Sequence, residues 1–303
     1  MERGESMDIG FIGVGQMGSR MAKRLLDAGY KLTVNDINRN AARALSDRGA
    51  RWADTPKAVA ESCPVVISML PGPPEVEQVV YGHDGLMAGW KKGDIYVDMS
   101  TSLPGTTRRV AGDAGAKGVA VMDAPVTGGS PRAENGTLTI MVGGAPETFQ
   151  KVVGILEHIG KKVLHMGDSG CGNITKLVNN LISLTCTYIN AEAFVMGVKA
   201  GVDTQKLWEA VTSGSGNNFQ LQEVWPISIL KGNFEPAFEL GLAAKDVGLA
   251  MALAREYGIP SPVAATVEQC YVEGRASGLA KKSLATHVWR LEELTGVKLR
   301  FQP

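Results

Sequence analysis

Six residues near the N-terminus, Gly13-Val14-Gly15-Gln16-Met17-Gly18, constrain the fold of this chain more than any other stretch. They follow Ile9-Gly10-Phe11-Ile12, an apolar run with the composition of a buried strand, and lead into an amphipathic segment, Ser19 to Ala28, that stops at Gly29. Gly13 permits a tight turn, Gly15 lets a pyrophosphate approach the backbone, and Gly18 lets a helix lie close against the strand. The start of that helix offers unpaired N–H groups and a partial positive charge to phosphates. A second strand, Lys31-Leu32-Thr33-Val34, runs into Asp36, at the strand-end position where a carboxylate accepts hydrogen bonds from an adenosine ribose. Glycine-rich packing followed by an acidic turn would use the same residues, but the strand–turn–helix context favours dinucleotide binding. Ile37 follows Asp36, and the first basic residue is Arg39. A 2′-phosphate would therefore meet a carboxylate with no adjacent cation, so NAD is expected rather than NADP.

The alternation of strands and helices continues. Val65 to Leu70 reads as a strand closed by Pro71-Gly72-Pro73-Pro74, which suits the first turn of a helix. Ile95 to Asp98, Val119 to Met122, Leu138 to Val142 and Val163 to His165 supply further strands. Such a rhythm predicts an α/β, Rossmann-type domain with a mostly parallel sheet and helices on both faces. Ligands of these sheets sit beyond the carboxyl ends of the strands, so Leu70-Pro71, Ser100-Thr101 and Asp123-Ala124-Pro125 are expected around one crevice. The last continues as Val126-Thr127-Gly128-Gly129-Ser130. A hydroxyl followed by two glycines exposes several N–H groups and suits a carboxylate, although Gly-Gly is also ordinary turn chemistry.

From Asp168 onward strand signals give way to helical periodicity, so the domains are expected at 1–167 and 168–303. The second is all-α and opens with a long interdomain helix inside the stretch Gly167 to Gly201, which lacks a breaker until Gly197. Lys176, Asn179, Asn180, Ser183, Thr187 and Asn190 share one face of it. A helix apolar over its remaining faces is normally buried, and its polar stripe must then be paired or line a cavity. Val202 to Val211, Phe219 to Leu230, Phe238 to Tyr257, Val263 to Arg275 and Leu279 to Leu294 are the other expected helices of a C-terminal bundle. Lys245 lies on an apolar stripe with Leu242, Leu249 and Leu253, where it must snorkel or meet a partner, and Asp246 stands beside it.

Composition narrows the functional classes. With 303 residues and 44% hydrophobic content the chain can bury a sizeable core, and 31 basic against 31 acidic residues offer no attraction to nucleic acid or an anionic membrane. The four cysteines are scattered and form no CxxC, which fits reduced thiols and a cytoplasmic setting. The four histidines lack metal-ligand spacing, so no metal is expected and each histidine reads as structural or exposed. Met1 to Ser6 is charged and lacks an apolar core; it reads as a start-site extension ahead of Met7 rather than a signal peptide. No apolar run is expected to cross a bilayer. So many amphipathic helices favour self-association as a homodimer or homotetramer.

Taken together, these motifs resemble the β-hydroxyacid dehydrogenases, the family of 3-hydroxyisobutyrate dehydrogenase and tartronate semialdehyde reductase, from about Met7 to about Thr295. The resemblance is carried by Ile12 to Gly18, by Asp123 to Gly129, by the glycine-spaced KxxxN of Gly167, Gly170, Gly172, Lys176 and Asn180, and by Lys245-Asp246. It implies reversible NAD(P)-dependent oxidation of a hydroxyl β to a carboxylate in a small hydroxy acid, or reduction of the matching semialdehyde. By the same resemblance Lys176 is the general acid/base and Asn180 holds it or the substrate. Thr127, Gly128, Gly129 and Lys245 bind substrate. Gly13, Gly15, Gln16, Met17, Gly18, Asp36, Leu70, Pro71, Thr101, Phe238, Lys245 and Asp246 border the cofactor. A free lysine titrates near ~10.4, so base catalysis at neutrality requires burial or a cationic neighbour. Two departures bear on substrate choice: Thr127 stands where serine is usual, and Gly214 to Phe219 lacks the arginine many members carry. A longer helical domain and a histidine-asparagine pair would mark a 6-phosphogluconate dehydrogenase, and loss of the lysine an imine reductase or a non-catalytic cofactor-binding scaffold. Here Lys176 is present and Asn179-Asn180 follow it.

Overall fold

In the computed structural model of the chain, residues 7–301 are described, and the reading of Met1 to Ser6 lies outside them. The chain divides into two compact units, one ending at Lys176 and the other beginning at Leu177. This division by compactness falls inside the long helix.

The first unit is built on a sheet of nine strands among the described residues: β1 (Asp8–Ile12), β2 (Lys31–Asn35), β3 (Arg51–Trp52), β4 (Val65–Ser68), β5 (Ile95–Asp98), β6 (Ala120–Asp123), β7 (Val126–Thr127), β8 (Leu138–Gly143) and β9 (Gly160–Gly167). Their order is β3-β2-β1-β4-β5-β6-β8-β7, with β9 on β8. From β3 to β6 every pairing is parallel; β8 runs antiparallel to β6 and β7, and β9 is parallel to β8. Side-chain alternation explains why the central strands are apolar throughout. Ile9 and Phe11 pack with Met21, Leu25 and Leu32 on one face, whereas Ile12, Val66 and Tyr96 pack with Val59, Val76 and Val110 on the other. Because β1 pairs with both β2 and β4, the winding reverses between β1 and β4. Ligand crevices open at the carboxyl side of such a switch point.

The second unit is helical. Cys171–Lys199 runs into it from the first, followed by Thr204–Ser213, Leu240–Glu256, Pro262–Ala276 and Thr286–Thr295. One core gathers Phe194, Leu221, Trp225, Ile229, Val288 and Leu299, and a second gathers Leu184, Leu240, Val247, Met251 and Tyr271. Two expected helices differ. Phe219 to Leu230 is not a regular α-helix but a π-turn, Gln220–Val224, followed by 3-10 turns at Trp225–Ile227 and Ile229–Lys231. Pro226 has no N–H to donate, which breaks the helical ladder there. The last helix begins at Thr286 rather than near Leu279, because the segment before it pairs with the chain entering Leu240–Glu256. Leu240 N donates to Lys282 O, Gly241 N to Ala280 O and Leu284 N to Phe238 O.

The long helix buries most of its polar stripe, as pairing of that stripe requires, but departs from expectation in leaving part of its apolar surface open. Lys176, Asn180, Thr187 and Asn190 are buried, while Val178, Ile182, Ile189 and Met196 are open, Ile182 at 62% and Met196 at 69% exposure. Contrary to the sequence reading, this one helix is long and apolar enough to cross a bilayer by length and composition, with a third of its most apolar window buried. Several groups of its polar stripe are nevertheless satisfied by protein, as described below.

Candidate functional site

The glycine loop leaves β1 and meets the end of β4. Gly13 has φ +85°, and a Cβ there would lie 2.4 Å from Met69 O; one at Gly18 would lie 1.9 Å from Gly13 O. A Cβ at Gly15 would meet nothing within 4 Å, so the space above it is open. No side chain caps the helix Gly18–Asp27, and its first turn holds no carboxylate. Exposed Gly15 and Gln16, half-buried Met17 and this bare helix start form a cradle that fits a dinucleotide pyrophosphate. Asp36 Oδ2 accepts from Val14 N at 2.8 Å and Oδ1 from Asn38 N at 2.8 Å, so the carboxylate is fixed against the loop with a lone pair left on each oxygen. Ile37 is fully exposed beside it, and the Arg39 guanidinium lies over the Trp52 ring at 5.5 Å.

Beyond β4 and β5 a buried carboxylate ties two loops together. Asp98 Oδ1 accepts from Ser68 Oγ at 2.9 Å and Ser100 N at 3.0 Å, and Ser100 Oγ accepts from Leu70 N at 2.9 Å. Leu70-Pro71 and Ser100-Thr101 are thereby set side by side. Burial pushes the Asp98 carboxyl up to about 6, against the pull of its Ser100 and Ser68 hydrogen bonds.

A second buried carboxylate, Asp123 at the end of β6, holds the start of the long helix. Its Oδ1 accepts from Gly170 N at 2.8 Å and its Oδ2 from Asn173 N at 2.7 Å. Burial raises its pKa, and the two backbone donors oppose the rise. From Asp123 the chain continues through Ala124-Pro125 into β7 and the turn Thr127-Gly128-Gly129, where Gly128 has φ +127° and Gly129 φ +72°. This is backbone that glycine adopts freely and other residues do not. The short helix Gly129–Glu134 then lies against the glycine-loop helix. Lys23 Nζ meets Glu134 Oε1 at 2.5 Å, and Ser130 Oγ points at Met17 Sδ at 3.6 Å. Within the first unit, then, the structure brings together the glycine loop, Asp36, Leu70-Pro71, Thr101, the Thr127–Gly129 turn and the helix start that carries buried Lys176.

Within the second unit, Asn180 Nδ2 donates to Asp246 Oδ2 at 2.7 Å, Asn179 Nδ2 donates to Asn180 Oδ1 at 3.0 Å, and Lys245 Nζ pairs with Asp246 Oδ1 at 2.8 Å. Lys245 therefore meets a carboxylate rather than only snorkelling. Phe238 packs on the Leu184–Tyr271 core. Farther along the stripe, Gln220 Nε2 donates to Ser183 Oγ at 2.8 Å, and the Asn190 and Asn218 amides exchange two bonds of 3.0 Å. The ring of buried His287 reaches Thr187 O at 2.9 Å and Leu284 O at 2.8 Å.

Three side chains of this arrangement went unread in the sequence: Asp98, Asn173 and, in its clamping role, Asp123. Asn173 was within reach. It extends the stripe one turn earlier, so that 173, 176, 180, 183, 187 and 190 alternate steps of three and four.

Comparison with known proteins covers both parts of the chain. A family profile described as the NAD binding domain of 6-phosphogluconate dehydrogenase matches residues 8–167, and one described as NAD-binding of NADP-dependent 3-hydroxyisobutyrate dehydrogenase matches residues 170–290. The chain is 36% identical over 296 residues to 2-(hydroxymethyl)glutarate dehydrogenase of Eubacterium barkeri, covering 97% of this chain and 98% of that one. It is 37% identical over 270 residues to 3-hydroxyisobutyrate dehydrogenase of Pseudomonas aeruginosa, covering 87% and 91%. Among solved structures, 3-hydroxyisobutyrate dehydrogenase of Mycobacterium tuberculosis with L-serine superposes with a TM-score of 0.86 at 28% identity, over 95% of this chain and 99% of that one. Sheet, glycine cradle and helical second unit define an oxidoreductase that uses a nicotinamide dinucleotide. The chain belongs to the β-hydroxyacid dehydrogenase family.

Proposed function

We propose that the protein catalyses reversible hydride transfer between NAD and the hydroxyl of a small 3-hydroxy carboxylic acid, with Lys176 as general acid/base. The observation that carries this is the double duty of Asp123. One residue ends the strand leading into the Thr127-Gly128-Gly129 turn and also holds the helix on which Lys176 and Asn180 stand one turn apart on a buried face.

Bound NAD supplies the hydride acceptor. Neutral Lys176 takes the hydroxyl proton at its Nζ, and in reduction its ammonium form returns it. Asn180, fixed by Asp246 and Asn179, orients the reacting groups. Thr127 and the N–H groups of Gly128 and Gly129 bind the substrate carboxylate. Lys245, anchored on Asp246, serves the substrate and nicotinamide side. The fixed Asp36 carboxylate favours NAD over NADP, because a 2′-phosphate there would face a like charge while Arg39 is stacked on Trp52. Relatives that act on 2-(hydroxymethyl)glutarate and 3-hydroxyisobutyrate support a substrate bearing a hydroxymethyl group next to its carboxylate. Open apolar positions on the long helix support a homo-oligomer.

The test is a steady-state screen of 3- and 4-hydroxy acids and their semialdehydes with both cofactors, run beside Lys176→Ala. The variant is expected to lose ~10²–10⁴-fold in kcat while still binding NAD, the range for removal of a positioned acid/base. Turnover within a few-fold of wild type would remove Lys176 from the chemistry.

A further inference from the structure

We propose that Asn173 is a positioning residue: its buried carboxamide joins the loop after β5 to the first turn of the long helix and so sets where Lys176 stands. The inference rests on the reading of Lys176 as acid/base. Asn173 is fully buried, and both ends of its side chain are used. Oδ1 accepts from Ser102 N at 2.9 Å, and Nδ2 donates to Thr107 Oγ1 at 3.1 Å, on the helix Pro104–Gly115. Its own N–H is held by Asp123 at 2.7 Å. The helix start is thus tied to three separate elements: the end of β6, the loop containing Thr101, and the helix that follows that loop.

These ties leave little freedom. A Cβ at neighbouring Gly172 would come within 2.3 Å of Met141 O and 2.9 Å of Asp123 O, so the helix backbone already lies against the strands. With that contact fixed, what remains is rotation and slide of the first turn, and the Asn173 carboxamide opposes both by holding Ser102 and Thr107 at once. Lys176 follows on the same face, ~4.5 Å along the axis, so a rotation of the first turn carries its ammonium directly. A misplacement of ~1 Å at a reacting group is enough to cost ~100-fold in rate.

The test uses the full-length protein produced with ¹³C-labelled lysine. The Lys176 signal is assigned by its loss in Lys176→Ala and titrated by NMR without cofactor or substrate. Asn173→Ala and Thr107→Val are expected to move the Lys176 midpoint by about half a unit or more, since the charged form then meets different surroundings. Thr107→Ser, which keeps the hydroxyl that accepts from Asn173, is expected to restore it. With the best substrate of the screen, Asn173→Ala is expected to lower kcat about tenfold or more with KM within about threefold. If Asn173→Ala does not fold, the Thr107 pair decides. An unchanged midpoint in the folded variants overturns the proposal, as does equal loss in Thr107→Val and Thr107→Ser. Full turnover by Lys176→Ala would instead bring down the acid/base reading on which the proposal stands, whereas loss in Lys176→Ala with an unmoved midpoint in Asn173→Ala defeats the positioning role alone.

Discussion

Asp98 sits under the crevice with no exposed surface to relieve its charge, yet three groups of the two loops above it depend on its hydrogen-bond network. Its folded pKa of about 6 is above the ordinary value of 3.8. A raised carboxyl pKa stabilises the fold fully below the unfolded value and loses that contribution as pH rises through the folded value. Measured against Asp98→Asn by urea unfolding, wild-type stability should therefore fall by on the order of 3 kcal/mol between about pH 4 and pH 6, then level off. A difference that is flat with pH would show the carboxyl to be unperturbed. At Asp36 the expectation concerns selectivity: Asp36→Asn with Ile37→Arg should shift kcat/KM toward NADP, and a wild-type preference for NADP would overturn the reading of that carboxylate. Asp36 was legible because strand, glycine turn and helix fix its place in the chain. Asp98 was not, since one acid at the end of Ile95-Tyr96-Val97 looks the same whether solvent or Ser68 and Ser100 lie beyond it.

Among the elements, the long helix carries the most consequence, and its N-terminal turn is where packing and propensity conflict. Alanine at position 172 would gain ~1 kcal/mol of helix propensity over glycine. Its Cβ, however, would stand 2.3 Å from Met141 O, which is backbone and cannot swing aside. Overpacking of this kind costs ~1–3 kcal/mol, so Gly172→Ala should be net destabilising and should show a lower Tm. A raised Tm would mean that the helix start is looser than its contacts imply. The spacing of the polar stripe was readable along this helix, because i, i+3 and i+4 positions need only one helix to share a face. The open apolar row was not, since which face turns inward depends on Asp123, Asp246, Gln220 and Asn218, all distant in sequence. The expected helix from Phe219 to Leu230 failed for a local reason that Pro226 had already announced.

For the molecule as a whole, the distribution of apolar surface bears on assembly. Most of the large apolar side chains that stay exposed among the described residues lie beyond Lys176, and Val178, Ile182, Ile189 and Met196 form a row along one helix. Ile182, Ile189 and Met196 are spaced by sevens, the repeat that keeps a helix seam facing a packed partner. The same helix meets the length and hydropathy of a bilayer span, but Asn180 and Asn190 are bonded to Asp246 and Asn218, pairings a lone spanning helix would have to surrender. A second copy of the chain would cover the apolar row without breaking those bonds. Sedimentation velocity at micromolar concentration should therefore give a mass that is a multiple of 32.1 kDa. Ile182→Glu combined with Met196→Glu should shift the distribution toward the single chain while leaving NAD binding intact, since charge at the centre of an apolar contact is unpaired there. A wild-type protein that sediments as one chain would show that this row is tolerated in water rather than covered.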